Sequence, residues 1–169
     1  FTLAEDASYG EEMTTAIGQG DTLATPLQMA LVASAVANGG TLMKPYYVDS
    51  ISTYDGDKVK TFKPSSYATV MSADEAETIG NYMITTVQSG TASALSGASY
   101  TAAGKTGSAE YDTASGERGT HSWFVGYTNV DNPELAIAVI AEDGGSGSST
   151  AVPIAKYIFD TYYQNKYGY

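Results

Sequence analysis

Residues 101–128 read TAAGKTGSAEYDTASGERGTHSWFVGYT, with Gly104, Lys105 and Thr106 in a row near the start. Two chemistries use such a triplet, and they predict different folds. A phosphate-binding loop needs a glycine, four residues, then Gly-Lys-Ser/Thr, running from a strand into a helix whose amides face the anion. Counting back from Gly104, the first glycine would be residue 99, which is Ser99. The residues after Lys105 show no helical period and contain three glycines before residue 120, Gly107, Gly116 and Gly119. The phosphate-loop reading fails on both counts, so the triplet belongs to a β-like run over residues 103–111.

Two further β-like runs follow, over 122–129 and 135–142, joined by the short turn VDNP with Pro133, which predicts antiparallel pairing. GGSGSS then reads as a flexible connection. Beyond it, Pro153 in a first turn and Val152, Ala155, Ile158, Phe159 and Tyr162 mark an amphipathic helix. Upstream, Ser72 followed by Glu75 is a capping box, and Ala76, Ile79, Met83 and Val87 fall at helical spacing until Gly90, predicting a helix over about 73–89. The segment 46–62 alternates weakly around Asp55-Gly56 and predicts a small β-hairpin. Thr25 as N-cap and Pro26 at N1 open another helix that Asn38, Gly39 and Gly40 end. Its LQMALVASAVA is apolar on nearly every side, the mark of a buried helix. Helix, hairpin, helix, three strands, helix is an α+β order: an antiparallel sheet of about three strands flanked by helices, plus a small hairpin.

The chain has 169 residues and is 43% hydrophobic, enough for one folded domain with a real core. Eight Lys+Arg against 19 Asp+Glu give a formal net charge of −11, which repels nucleic-acid phosphates and anionic lipid, so nucleic acid is not an expected partner. Zero cysteines exclude disulfides, thiolate zinc sites and a Cys nucleophile without identifying a compartment. No stretch approaches the about 20 consecutive apolar residues of a spanning helix. The opening FTLAEDASYG has neither an initiator Met nor a capping pattern, and 1–169 is read as a piece of a longer chain.

The second chemistry of Lys-Thr-Gly is serine acyl transfer, where it accompanies Ser-x-x-Lys and a Ser-containing third element. The chain resembles the C-terminal half of the transpeptidase domain of class B penicillin-binding proteins across nearly its whole length. The resemblance rests on IGQG (17–20), TPLQMA (25–30), ANGG (37–40), GKTGSAE (104–110), HSWFVGY (121–127) and AVPIAK (151–156), in that order and spacing. It implies a partial serine β-lactamase/penicillin-binding transpeptidase fold. It implies an enzyme whose serine is acylated by D-Ala-D-Ala peptides or by β-lactams and which cross-links peptidoglycan stem peptides at the outer face of the bacterial cell membrane, anchored upstream of Phe1. Lys105 then supplies a positive field, the backbone N–H of Ser108 an oxyanion donor, and the hydroxyls of Thr106 and Ser108 a carboxylate clamp. Gly107 lets the substrate approach the strand, along which the peptide lies as an added strand. No cofactor and no metal ligand is expected.

The chain departs from that pattern at the nucleophile. None of its seven lysines has a serine three residues before it, and none of its five asparagines has one two before. It therefore carries one wall of the site, and the N-terminal half of the domain would bring the rest. The isolated chain is expected to be inactive and, with two strands of a five-strand sheet missing, to expose a bare edge that invites a homodimer. A non-catalytic β-lactam sensor or wall-peptide-binding module is the alternative, and a Tyr-rich acidic adhesion module, with Lys105–Ser108 in a solvated loop, a third. His121, the only histidine, reads as structural. Trp123, Phe124 and Tyr127 read as core rather than a sugar platform, and Glu142 and Asp143 as a solvated loop pair. Gly18 and Gly20 read as a tight turn near the base of the site. Tyr162, Tyr163, Tyr167 and Tyr169 read as an adhesive surface or as half-buried helix residues with a frayed tail.

Overall fold

A computed structural model describes residues 4–20, 22–112 and 115–168. Phe1 and Tyr169, both invoked above, lie outside the described residues. The element order is α1 (Tyr9–Ala16), α2 (Pro26–Ala37), β1 (Thr41–Met43), β2 (Ser50–Ser52), β3 (Lys58–Thr61), β4 (Ser66–Thr69), α3 (Ala73–Ser89), a 3-10 turn (Ser93–Leu95), β5 (Ala102–Asp112), β6 (Arg118–Thr128), β7 (Leu135–Ala141) and α4 (Ala151–Tyr167). The strands β5-β6-β7 form one antiparallel sheet in that order, in continuous register from Ala102↔Thr128 to Asp112↔Arg118. This is the α+β architecture expected from the pattern.

Local signals account for the helices. Thr25 accepts from the Gln28 N–H while the Gln28 side chain returns to Thr25, with Pro26 at N1. Ser72 and Glu75 form the same reciprocal pair at α3. The hairpin β2–β3 closes around Asp55-Gly56, with the Thr53 N–H on the Asp57 carbonyl. A second two-stranded sheet, β1 with β4, was not expected.

Four expectations need correction. The opening does hold a capping pattern: Ser8 accepts from Glu11 N–H and Glu11 accepts from Ser8 N–H, starting α1. The α2 helix is not buried all round, since Leu27 is 60% and Val32 50% exposed. Its inner face is Ala33, Ala35 and Val36. In α3 it is Gly80, not Ile79, that is buried, and in α4 the inward face carries Tyr163 in place of the exposed Ile158, with Tyr162 half-buried against the same cluster. Finally, GGSGSS is not a free connection: Gly147 is buried, Ser122 Oγ donates to the Ser146 carbonyl, and the Ala151 N–H donates to Ser122 Oγ.

The sheet has two covered faces. Ala102, Phe124 and Val139 meet Leu95 of the 3-10 turn and Ala155, Phe159 and Tyr163 of α4 on one face. Ala103 and Tyr127 meet Val36 of α2 and Met83 of α3 on the other. Because successive strand residues face opposite ways, this fixes where each residue of Lys105–Ser108 points.

Candidate active site

The site begins with the edge strand. On β5, Lys105 is opposite Val125 and Gly107 opposite Trp123, while β5 has no strand on its other side among the described residues. Side chains take the carbonyls that face away: Lys105 Nζ lies 2.5 Å from the Thr106 carbonyl and Gln19 Nε2 3.2 Å from that of Ser108. In an antiparallel strand the N–H of a residue points the same way as its carbonyl. The Ser108 N–H therefore faces the open edge as well.

Alternation then separates the side chains of the motif. Lys105, Gly107 and Ala109 lie on the α2 side, Thr106 and Ser108 on the α4 side. Lys105 is exposed and folds its ammonium over the edge. Thr106 is 9% exposed, and its hydroxyl lies 2.6 Å from that of Thr91, just past the end of α3. Ser108 Oγ accepts from the Gly147 N–H at 3.3 Å. The ammonium and the Ser108 amide share the open edge, whereas the Thr106 hydroxyl is turned under it. At Gly107 a Cβ would sit 3.1 Å from Trp123 Cβ, so the glycine also relieves crowding with β6.

A cavity of about 290 Å³ lies beside this edge, between β5, Trp123 of β6, Met29 of α2 and residues 17–19, 22 and 24. Lys105 is the only charged group among the described residues that line it. Such a pocket favours an anion although the chain as a whole is acidic. The Thr22 hydroxyl, also in its wall, is buried with no hydrogen-bond partner among the described residues. A second hollow of about 650 Å³ continues along β5 past Ser108 to Tyr111 and Arg118.

The residues weighed as bystanders fall as follows. Phe124 and Tyr127 are core, but Trp123 is half-buried and lines the cavity. His121 stacks on Tyr111 with ring centroids 4.2 Å apart, and its Nδ1 accepts the Asp143 N–H. The Tyr111 hydroxyl donates to Asp143, and that bond raises its pKa. Among the described residues no group of three or more His, Cys, Asp or Glu could hold a metal ion. A solvated loop for Lys105–Ser108, which the adhesion reading requires, is overturned by the strand. Sequence reasoning left out Gln19, whose carboxamide reaches the edge from 89 residues away; its signal was the pair of glycines around it.

A family profile described as the penicillin binding protein transpeptidase domain matches residues 4–160. The chain belongs to that family. It is 34% identical over 151 residues to the peptidoglycan D,D-transpeptidase PbpA of Mycolicibacterium smegmatis, covering 84% of this chain and 30% of the relative. It is 34% identical over 174 residues to the peptidoglycan D,D-transpeptidase MrdA of Haemophilus influenzae, covering 93% and 26%. Among solved structures, the imipenem acyl-enzyme complex of penicillin-binding protein A from M. tuberculosis superposes with a TM-score of 0.82 at 27% identity, covering 93% of this chain and 35% of that one. The D,D-transpeptidase domain of a peptidoglycan glycosyltransferase from Eggerthella lenta gives 0.78 at 33% identity, covering 88% and 34%. The chain thus spans about a quarter to a third of the relatives it matches. No helix among the described residues is long and apolar enough to cross a membrane.

Proposed function

We propose that residues 1–169 are the C-terminal portion of a serine D,D-transpeptidase domain that cross-links peptidoglycan stem peptides outside the cytoplasmic membrane and binds β-lactams. The observation that carries this reading is the open β5 edge: the Ser108 N–H and the Lys105 ammonium face one cavity in which no other charge stands among the described residues that line it. The reaction needs that pair. A serine oxygen adds to the carbonyl of the penultimate D-Ala, the negative charge that develops on the carbonyl oxygen is met by the Ser108 N–H, and the terminal D-Ala leaves with the serine's proton. An amine of a second stem peptide then attacks the ester and releases the serine. Lys105 draws the anionic C-terminus to the edge. The hydroxyls of Thr106 and Ser108 bind that carboxylate, Thr106 by giving up Thr91.

The nucleophile comes from outside this chain, which holds no Ser-x-x-Lys. The outward Leu27 and Val32 of α2 support the same division, as apolar surface that the remainder of the domain covers. A graft tests the reading: residues 4–160 replace the matching segment of the M. smegmatis relative, and the chimera is incubated with a fluorescent penicillin. Covalent labelling is expected, with loss of most of it in Lys105→Ala. An unlabelled chimera that melts like its parent overturns the proposal, and labelling without peptide cross-linking favours the sensor. The chain alone should show no adduct by intact mass.

A further inference from the structure

We propose that Gln19 is a specificity-determining residue of this site: it holds the rung of the β5 edge that an incoming peptide strand must take, and ligand has to displace it. The inference rests on the transpeptidase reading above.

Its position is fixed by the backbone. The α1 helix ends with the Gly18 N–H on the Thr15 carbonyl and the Gln19 N–H on the Thr14 carbonyl. With Gly18 at φ 77 this is the paired closure of a Schellman motif, which holds the residue after the glycine in one place. Gly20, at φ 67, turns the chain away again. Gln19 is half-buried, and its Nε2 donates to the Ser108 carbonyl at 3.2 Å. It is also common to the walls of both hollows along β5, the one holding Lys105 and the one reaching Arg118. The carboxamide therefore stands as a partition between them.

Its chemistry is that of a peptide N–H. A strand added to an open edge presents amide donors to the outward carbonyls. At Ser108 that acceptor is already occupied by an amide from the chain itself. The edge is thereby protected while empty. A ligand with an acylated amine beside its reacting carbonyl competes for the rung, whereas a ligand without that amide N–H does not.

Two penicillins separate these cases in the graft. Benzylpenicillin carries an acylamino N–H, and penicillanic acid carries only hydrogen at the same ring carbon. Acylation rate constants are measured for both, with Gln19 intact and in Gln19→Ala. The ratio of benzylpenicillin to penicillanic acid rates is expected to rise about 2- to 10-fold in Gln19→Ala, the worth of one ordinary hydrogen bond. An unchanged or lower ratio in a graft that acylates overturns this inference alone. A folded graft that takes neither ligand overturns the transpeptidase reading and this inference with it. Should the graft not fold, the 169-residue chain, isotopically labelled, is titrated with an Nα-acetylated peptide ending in D-Ala-D-Ala. Shifts of the Gln19 side-chain amide together with the Ser108 amide are expected, and an unmoved Gln19 amide overturns the proposal.

Discussion

Gly104 lies directly beneath the ring of Phe124: a Cβ at residue 104 would stand 2.3 Å from Phe124 Cζ. Phe124 is 0% exposed and packs edge-on to Phe159, so the ring has nowhere to go. The glycine just before Lys105 thus serves the core. Gly104→Ala should destabilise the fold by about 1–3 kcal/mol through overpacking, even after the smaller unfolded-state gain of removing a glycine. Gly107→Ala, 3.1 Å from the Cβ of a half-buried Trp123, should cost less. Urea melts of the two variants check the order.

The face of α4 gives a second test. The Tyr163 hydroxyl donates to Thr128 Oγ1 at 2.9 Å, and both residues are essentially inaccessible. Tyr163→Phe keeps the ring and its stacking on Tyr100 but takes this partner from a buried hydroxyl, a loss of about 1–3 kcal/mol. Tyr162→Phe removes only an exposed contact to Lys166 and should fall within about 0.5 kcal/mol of the parent. Equal effects from the two would contradict the assigned helix face.

The difference between those two tyrosines shows where the sequence was legible. Caps and turns are local, so Thr25-Pro26, Ser72 with Glu75, and the turn before Pro133 gave the elements directly. The α1 helix has no buried residue, so no apolar period announced it, and its one local signal, the Ser8–Glu11 pair, falls at the end of an opening read above as uncapped. Which tyrosine of α4 turns inward depends on how the helix lies on the twisted sheet. The Lys-Thr-Gly-Ser segment could be assigned to a strand. That Thr106 spends its hydroxyl on Thr91, and that Gln19 meets Ser108, are contacts between distant segments with no periodic trace.

The capping boxes make an acid dependence. Glu11 and Glu75 each accept from the backbone N–H of the capping serine and then from its hydroxyl where bonded, and both are held below the ordinary carboxylate value of 4.5. A carboxyl with a lowered folded-state pKa stabilises fully above its ordinary value, and that share is lost as pH falls through the lower folded value. Glu75→Gln should therefore be less stable than the parent at neutral pH, with the gap closing in acid below the ordinary carboxylate range. Circular dichroism melts across that range give the comparison, and a pH-independent gap would count against the charge-based part of the cap.

The opposite edge of the sheet is less guarded than β5. Seven uncharged residues, LAIAVIA, make up β7, which pairs with β6 on one side and with no strand on the other among the described residues. Lys105 and Gln19 close over two carbonyls of the β5 edge, but no charged residue interrupts β7 itself. Long uncharged edges template pairing with another chain. The isolated chain should self-associate as its concentration rises, seen as a growing sedimentation coefficient together with slower hydrogen exchange at the β7 amides. A chain that sediments as a monomer at every concentration would show that something other than a strand already shields this edge.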